Sequence, residues 1–114
     1  MLNSVELKDY MLRNPIKVNL NDDLFVAIDR IVANKVSGVC VVDDENNLVG
    51  MLSEVDCLGA ILSARYNQET SVGPVSGVMT RDVYCVSPNA DIVDVAQEML
   101  QRGFRRCPVV EKGK

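Results

Sequence analysis

Aliphatic residues follow two periods along the chain. Brief extended pieces at Ile16–Val18 and Val83–Val86 and short apolar runs at Val39–Val42, Leu48–Leu52 and Cys107–Val110 predict strands, several rich in Val. Between them, Leu24, Ala27, Ile28, Ile31 and Val32, and again Ile92, Val95, Ala96, Met99 and Leu100, recur at helical spacing. Asn21-Asp22-Asp23 and Pro88-Asn89-Ala90-Asp91 stand just before these helices and offer side chains to cap them. Gly103 is placed to end the second helix. A further helix is predicted from about Ser53 to Arg65, with Val55, Leu58, Ile61 and Leu62 as its apolar face. Short helical turns are expected at Leu7–Leu12 and Val75–Met79.

The two sets of elements are one pattern used twice. An offset of 68 aligns Met11–Asp43 with Met79–Glu111 without a gap over 33 positions. Identities fall at Met11/Met79, Arg13/Arg81, Val18/Val86, Asn21/Asn89, Asp23/Asp91, Val41/Val109 and Val42/Val110. The repeating unit reads β-α-β-β-α, an α+β arrangement. Residues 1–66 hold the first copy, 67–74 a polar linker, and 75–114 a second copy. At the same offset, the last strand and helix of the second copy fall beyond Lys114, so that copy is expected to be incomplete.

Composition narrows the chemistry. With 114 residues, 47% hydrophobic and 25% charged, the chain suits a compact domain with an aliphatic core, since only 4% is aromatic and Trp is absent. No apolar run approaches a membrane span and the N-terminus lacks the pattern of a signal peptide. A net charge of −4 argues against nucleic acid or an anionic membrane as the main partner. His is absent, and Cys40, Cys57, Cys85 and Cys107 contain no C-x-x-C pair, which leaves no metal-site pattern. The cysteines are expected to be buried, reduced thiols of a cytoplasmic protein. Met11, Met51, Met79 and Met99 read as core or interface filling, Asp43-Asp44-Glu45 as a solvated turn, and Tyr66 as packing at a helix end. No Ser–base pair, P-loop or dinucleotide glycine fingerprint occurs, so no enzymatic activity is expected.

One motif carries candidate binding chemistry. Gly50-Met51-Leu52-Ser53-Glu54-Val55-Asp56 has the form G-x-x-S-x-x-D at a strand-to-helix junction. Glycine near the strand end permits close approach of a ligand to the backbone. Ser53 sits at the positive end of the helix dipole, where a phosphate is favoured, and Asp56 can accept from a ribose diol. The same S-x-x-D spacing also makes an ordinary capping box, in which both side chains serve the helix's own amides. The motif alone leaves both readings open.

The repeat, the Val-rich strand ending at Asp43 and this motif together resemble a pair of cystathionine-β-synthase (CBS) domains, a Bateman module. The resemblance rests on Ser37–Asp56 in the first copy and on Val78–Leu100 and Arg105–Glu111 in the second. It implies two units about a pseudo-twofold axis, with clefts that take AMP, ADP, ATP or S-adenosylmethionine. It further implies a regulatory role, with a conformational signal passed to an effector protein, and a homodimer formed through the repeat helices. By the same resemblance, Ser53 faces phosphate, Asp56 holds ribose hydroxyls, Ile16 and Val18 line the adenine pocket, and Gly38, Val39 and Cys40 form the opposite wall. In the second copy Tyr84 and Cys85 match the adenine wall, while Arg105 and Arg106, before Cys107-Pro108, match phosphate-reaching positions. Cys40 departs from the family's usual Pro, which stands at Pro108 in the second copy. A ligand-free dimerisation module is the alternative.

Overall fold

The computed structural model describes residues 15–67, 72–104 and 107–111. The expected turn at Leu7–Leu12 and the residues Arg105 and Arg106 lie outside this set. The chain divides into two compact units, of which the first spans Pro15–Asp82 and the second includes the described residues from Val83 onward.

In the first unit, β1 (Lys17–Asn19), α1 (Leu24–Ala33), β2 (Gly38–Val42), β3 (Leu48–Ser53) and α2 (Glu54–Tyr66) follow in the expected order. The three strands form one sheet, with β1 parallel to β2 and β2 antiparallel to β3. A register shift near Val42 leaves Val49 as an extra residue between the Val41↔Gly50 and Val42↔Leu48 pairs. Strand alternation puts Val18, Val39, Val41 and Leu52 on the core face, where they pack with Leu24, Ala27 and Ile31 of α1 and Cys57 of α2. Asp23 caps α1 by accepting from the Phe25 amide.

The apolar face expected for α2 requires correction. Val55, Leu58 and Leu62 are 71%, 60% and 69% exposed, and Tyr66 is the most exposed of all, so it does not pack at the helix end. The buried side of α2 is built from small residues instead: Cys57 and Ala64 are buried and Ala60 half-buried. Residues 57, 60 and 64 share one helical face opposite 55, 58, 62 and 66, and their short side chains let the helix lie close to its neighbours.

Residues 72–82 strap the first unit. The Leu24 amide donates to Gly73, and the amides of Val75 and Ser76 donate to Asp22 and Leu20, at 2.9–3.0 Å. Val75, in a 3-10 turn at Val75–Gly77, and Met79 complete the core. The segment then reaches β3, where Met51 and Thr80 exchange backbone hydrogen bonds of 2.9 and 2.8 Å.

The second unit repeats this local construction at the same offset. Helix α3 (Ile92–Arg102) is capped by Asp91, as α1 is by Asp23. Val86 pairs in parallel with Val109, matching Val18 with Val41. Among the described residues this is the one bridge there, although strands are expected over Val83–Val86 and Cys107–Val110. The first unit uses the amides of Leu20 and Cys40 in its β1–β2 ladder, donating to Val42 and Ile16. The matching residues are Pro88 and Pro108, which have no N–H to donate. The two bonds that need no amide from those positions, Val86 donating to the Pro108 carbonyl and Val110 donating to the Val86 carbonyl, are present at 3.1 and 2.8 Å.

Candidate functional site

Sheet alternation sorts the candidate residues of the first unit. Gly38 lies opposite Ser53, Cys40 opposite Met51, and Lys17 opposite Cys40, all on the sheet face turned away from the core. Val18 and Val39 have the other parity and are buried in the core, with Ile16 packed against it. Their side chains are committed to packing, so these three positions offer a ligand chiefly their backbone groups. Lys17, which sequence reasoning passed over, and Met51, which it read as core or interface filling, therefore belong to the candidate face. The period-2 pattern flanking Val18 and Leu52 was the signal that could have found them.

At the end of β3 the capping box is fully formed. The Asp56 amide donates to Ser53 Oγ at 3.1 Å, and the Ser53 amide donates to Asp56 Oδ2 at 3.0 Å. The Glu54 amide donates to the Ser37 carbonyl at 2.9 Å. Three amides at this helix start thus already have partners from the chain itself. The cap uses one carboxylate oxygen of Asp56 and the acceptor side of the Ser53 hydroxyl. By chemical inventory, a second carboxylate oxygen and a hydroxyl proton remain for other contacts. Capping and ligand binding by the same two residues are compatible.

Gly50 has a different purpose from the one its motif suggests. A Cβ at this position would stand 2.7 Å from the Thr80 carbonyl oxygen and 2.9 Å from Met79 Sδ. The chain's own strap occupies the space that the sequence assigned to an approaching ligand.

The thiols are also redistributed. Cys57 is buried, Cys40 and Cys107 are half-buried, and Cys85 is exposed, contrary to the expectation that it packs in a strand. Cys85 occupies the position of Lys17 in the repeat, one residue out of phase with core-facing Val18. Burial pushes the Cys40 thiol above its ordinary range, partly opposed by the nearby Lys17 ammonium. Burial likewise raises Cys57, reinforced by the Asp56 carboxylate. Lys17 Nζ is held by Asn46 Oδ1 at 3.1 Å, in the turn after β2.

In the second unit Tyr84 stacks on Phe104, with ring centroids 5.8 Å apart and planes 20° from parallel. The Arg102 guanidinium lies 5.3 Å from the Tyr84 ring centre and 5.1 Å from that of Phe104. Cys107 Sγ is 3.5 Å from the Tyr84 carbonyl oxygen. Pro108, the counterpart of Cys40, is half-buried and accepts from Val86. Among the described residues no cluster of His, Cys, Asp or Glu could hold a metal ion, and no helix is long and apolar enough to cross a membrane.

Comparison with known proteins places this geometry in a family. The chain is 33% identical over 108 residues to the uncharacterized protein MJ1225 of Methanocaldococcus jannaschii, with 95% of the chain and 37% of that protein covered. The chain thus spans well under half the length of this curated relative. Among solved structures, a putative acetoin utilization protein (AcuB) from Vibrio cholerae superposes with a TM-score of 0.86 and 28% identity, covering 96% of this chain and 78% of that one. CBSX2 in complex with AMP gives a TM-score of 0.85 and 29% identity, with 97% and 86% covered. The CBS domain model matches residues 7–63 and 75–114. With the sheet order, the repeated caps and the G-x-x-S-x-x-D junction in place, the chain belongs to the CBS domain family and is a tandem CBS module.

Proposed function

We propose that the chain is a regulatory module that takes an adenosine-containing ligand, AMP, ADP, ATP or S-adenosylmethionine, and passes a conformational signal to an effector protein. The observation that carries this reading is the Ser53–Asp56 junction. It sets a hydroxyl and a carboxylate at a helix start, beside Gly38 across the sheet and next to the row of Lys17, Cys40 and Met51. Asp56 accepts from the ribose hydroxyls, and Ser53 donates to a phosphate. The likeness to CBSX2, whose structure contains AMP, supports the choice of an adenosine ligand. Signalling requires that the ligand bind one conformation better than another.

Calorimetry with AMP, ADP, ATP and S-adenosylmethionine tests the reading, together with the rise in melting temperature that binding requires. Asp56→Ala is expected to weaken AMP binding about tenfold or more, the scale of a hydrogen bond to a charged group. Asp56→Asn, which keeps an acceptor for the Ser53 amide, separates lost ligand contact from lost capping. Unchanged affinity in Asp56→Ala places the nucleotide elsewhere.

The second reading, a dimerisation module, is favoured by one observation. Each copy exposes the same apolar pair on its first helix, Phe25 and Val32 on α1 and Val93 and Leu100 on α3, and α2 has an outward apolar stripe of its own. A cytoplasmic homodimer formed through these helices fits either reading. Sedimentation with and without AMP separates them: a dimer indifferent to nucleotide favours the structural role.

A further inference from the structure

We infer that ligand occupancy at Ser53–Asp56 and docking of the Thr80 backbone on β3 are thermodynamically linked. Residues 78–82 are then the element that responds when the site fills. The inference rests on the adenosine-site reading above and assigns that site its regulation.

Strand β3 pairs with β2 along one side, and its other side meets Thr80. That contact is a single isolated bridge, made by Met51 donating to Thr80 at 2.9 Å and Thr80 donating to Met51 at 2.8 Å. Met51 lies two residues before Ser53 and shares its face of the sheet, so a shift of the β3 backbone at Met51 reaches the capping box directly. The bridge has a purpose-built seat, because any side chain at Gly50 would collide with the Thr80 carbonyl and Met79. Thr80 is exposed, and an isolated edge bridge, with no neighbouring ladder bonds to support it, belongs to the low-stability end of local opening. Behind it the strap is anchored by buried Val75 and Met79, and the Arg81 guanidinium donates to the Ser76 carbonyl at 3.1 Å. Opening therefore concentrates at the Met51–Thr80 bridge. Thr80 stands three residues before Val83, where the chain passes from the first unit into the second. A site that holds β3 in its docked position favours the closed bridge, and by reciprocity a closed bridge favours the ligand.

Amide hydrogen exchange on the full chain, with and without saturating AMP, tests the linkage. The Thr80 and Met51 amides are expected to slow by about 5-fold or more, while locally opening amides of the 43–47 turn keep their rates. Thr80→Pro removes one bridge donor, and Gly50→Ala unseats the other partner. Either folded variant is expected to bind AMP about 5-fold or more weakly. Binding of AMP that leaves Thr80 and Met51 exchange unchanged overturns the linkage, as does full AMP affinity in a folded variant whose bridge amides exchange freely. Absence of any AMP, ADP, ATP or S-adenosylmethionine binding to the unaltered protein instead overturns the adenosine reading, and the linkage with it.

Discussion

Lys35 ends α1 in the left-handed region, at φ +54°, where its repeat counterpart Gly103 has φ +72°. The Val36 amide donates back to the Ile31 carbonyl and the Lys35 amide to Val32, closing a Schellman turn. Phe104 donates to Met99 in the same way after α3. The backbone demand is therefore the same in both copies, but only one meets it with a residue that adopts positive φ without strain. Lys35→Gly is expected to stabilise the protein by about 0.5–1 kcal/mol, the steric cost removed outweighing the extra freedom of the unfolded chain. Urea denaturation checks this. The Gly103 cap was legible from sequence because glycine announces the conformation. The equivalent turn at Lys35 was not, because a lysine there carries no such mark.

At the scale of elements, the repeat diverges where its hydrogen-bond donors do. Prolines at 88 and 108 remove two donors that Leu20 and Cys40 supply to β1 and β2. One pattern of aliphatic residues thus yields a ladder in the first unit and, among the described residues, a single bridge in the second. The prolines were visible in the sequence, whereas the register that makes those two amides matter was not. The G-x-x-S-x-x-D junction shows the same division. Its strand, helix start and capping potential followed from spacing, but the neighbour of Gly50 comes from residues 79 and 80, far along the chain. Gly50→Ala is expected to destabilise the first unit by about 1–3 kcal/mol, through the clash with the Thr80 backbone and loss of the strap's bridge. Thermal unfolding followed by circular dichroism measures it. A change within error would show that the strap gives way without cost.

At the scale of the whole molecule, three helices present apolar side chains to solvent, and Val55, Leu58, Leu62 and Tyr66 form a continuous stripe on α2. Under the dimer reading, Leu62→Arg disrupts the association while leaving the core untouched, since Leu62 is 69% exposed. Sedimentation velocity is expected to show the variant at lower mass with an unchanged circular dichroism spectrum. Identical sedimentation of both proteins removes this stripe from the interface. The net charge of −4 gives phosphate no general attraction, so nucleotide affinity depends on local groups such as Ser53.

The sequence by itself determined the repeat, the order of elements in the first unit, the capping aspartates and the Ser53–Asp56 box. All of these are set by spacing within a few residues or by direct alignment of one copy on the other. Tertiary structure alone decided which face of α2 is buried, since a stripe of Cys57, Ala60 and Ala64 competes with a larger aliphatic stripe. Close packing selected the smaller one. It also decided that Lys17 and Met51 share the candidate face while Val18 and Val39 face the core, and that the strap fills the space beside Gly50. Those outcomes depend on strand register and on which distant backbone arrives at an edge, and neither is encoded in local periodicity.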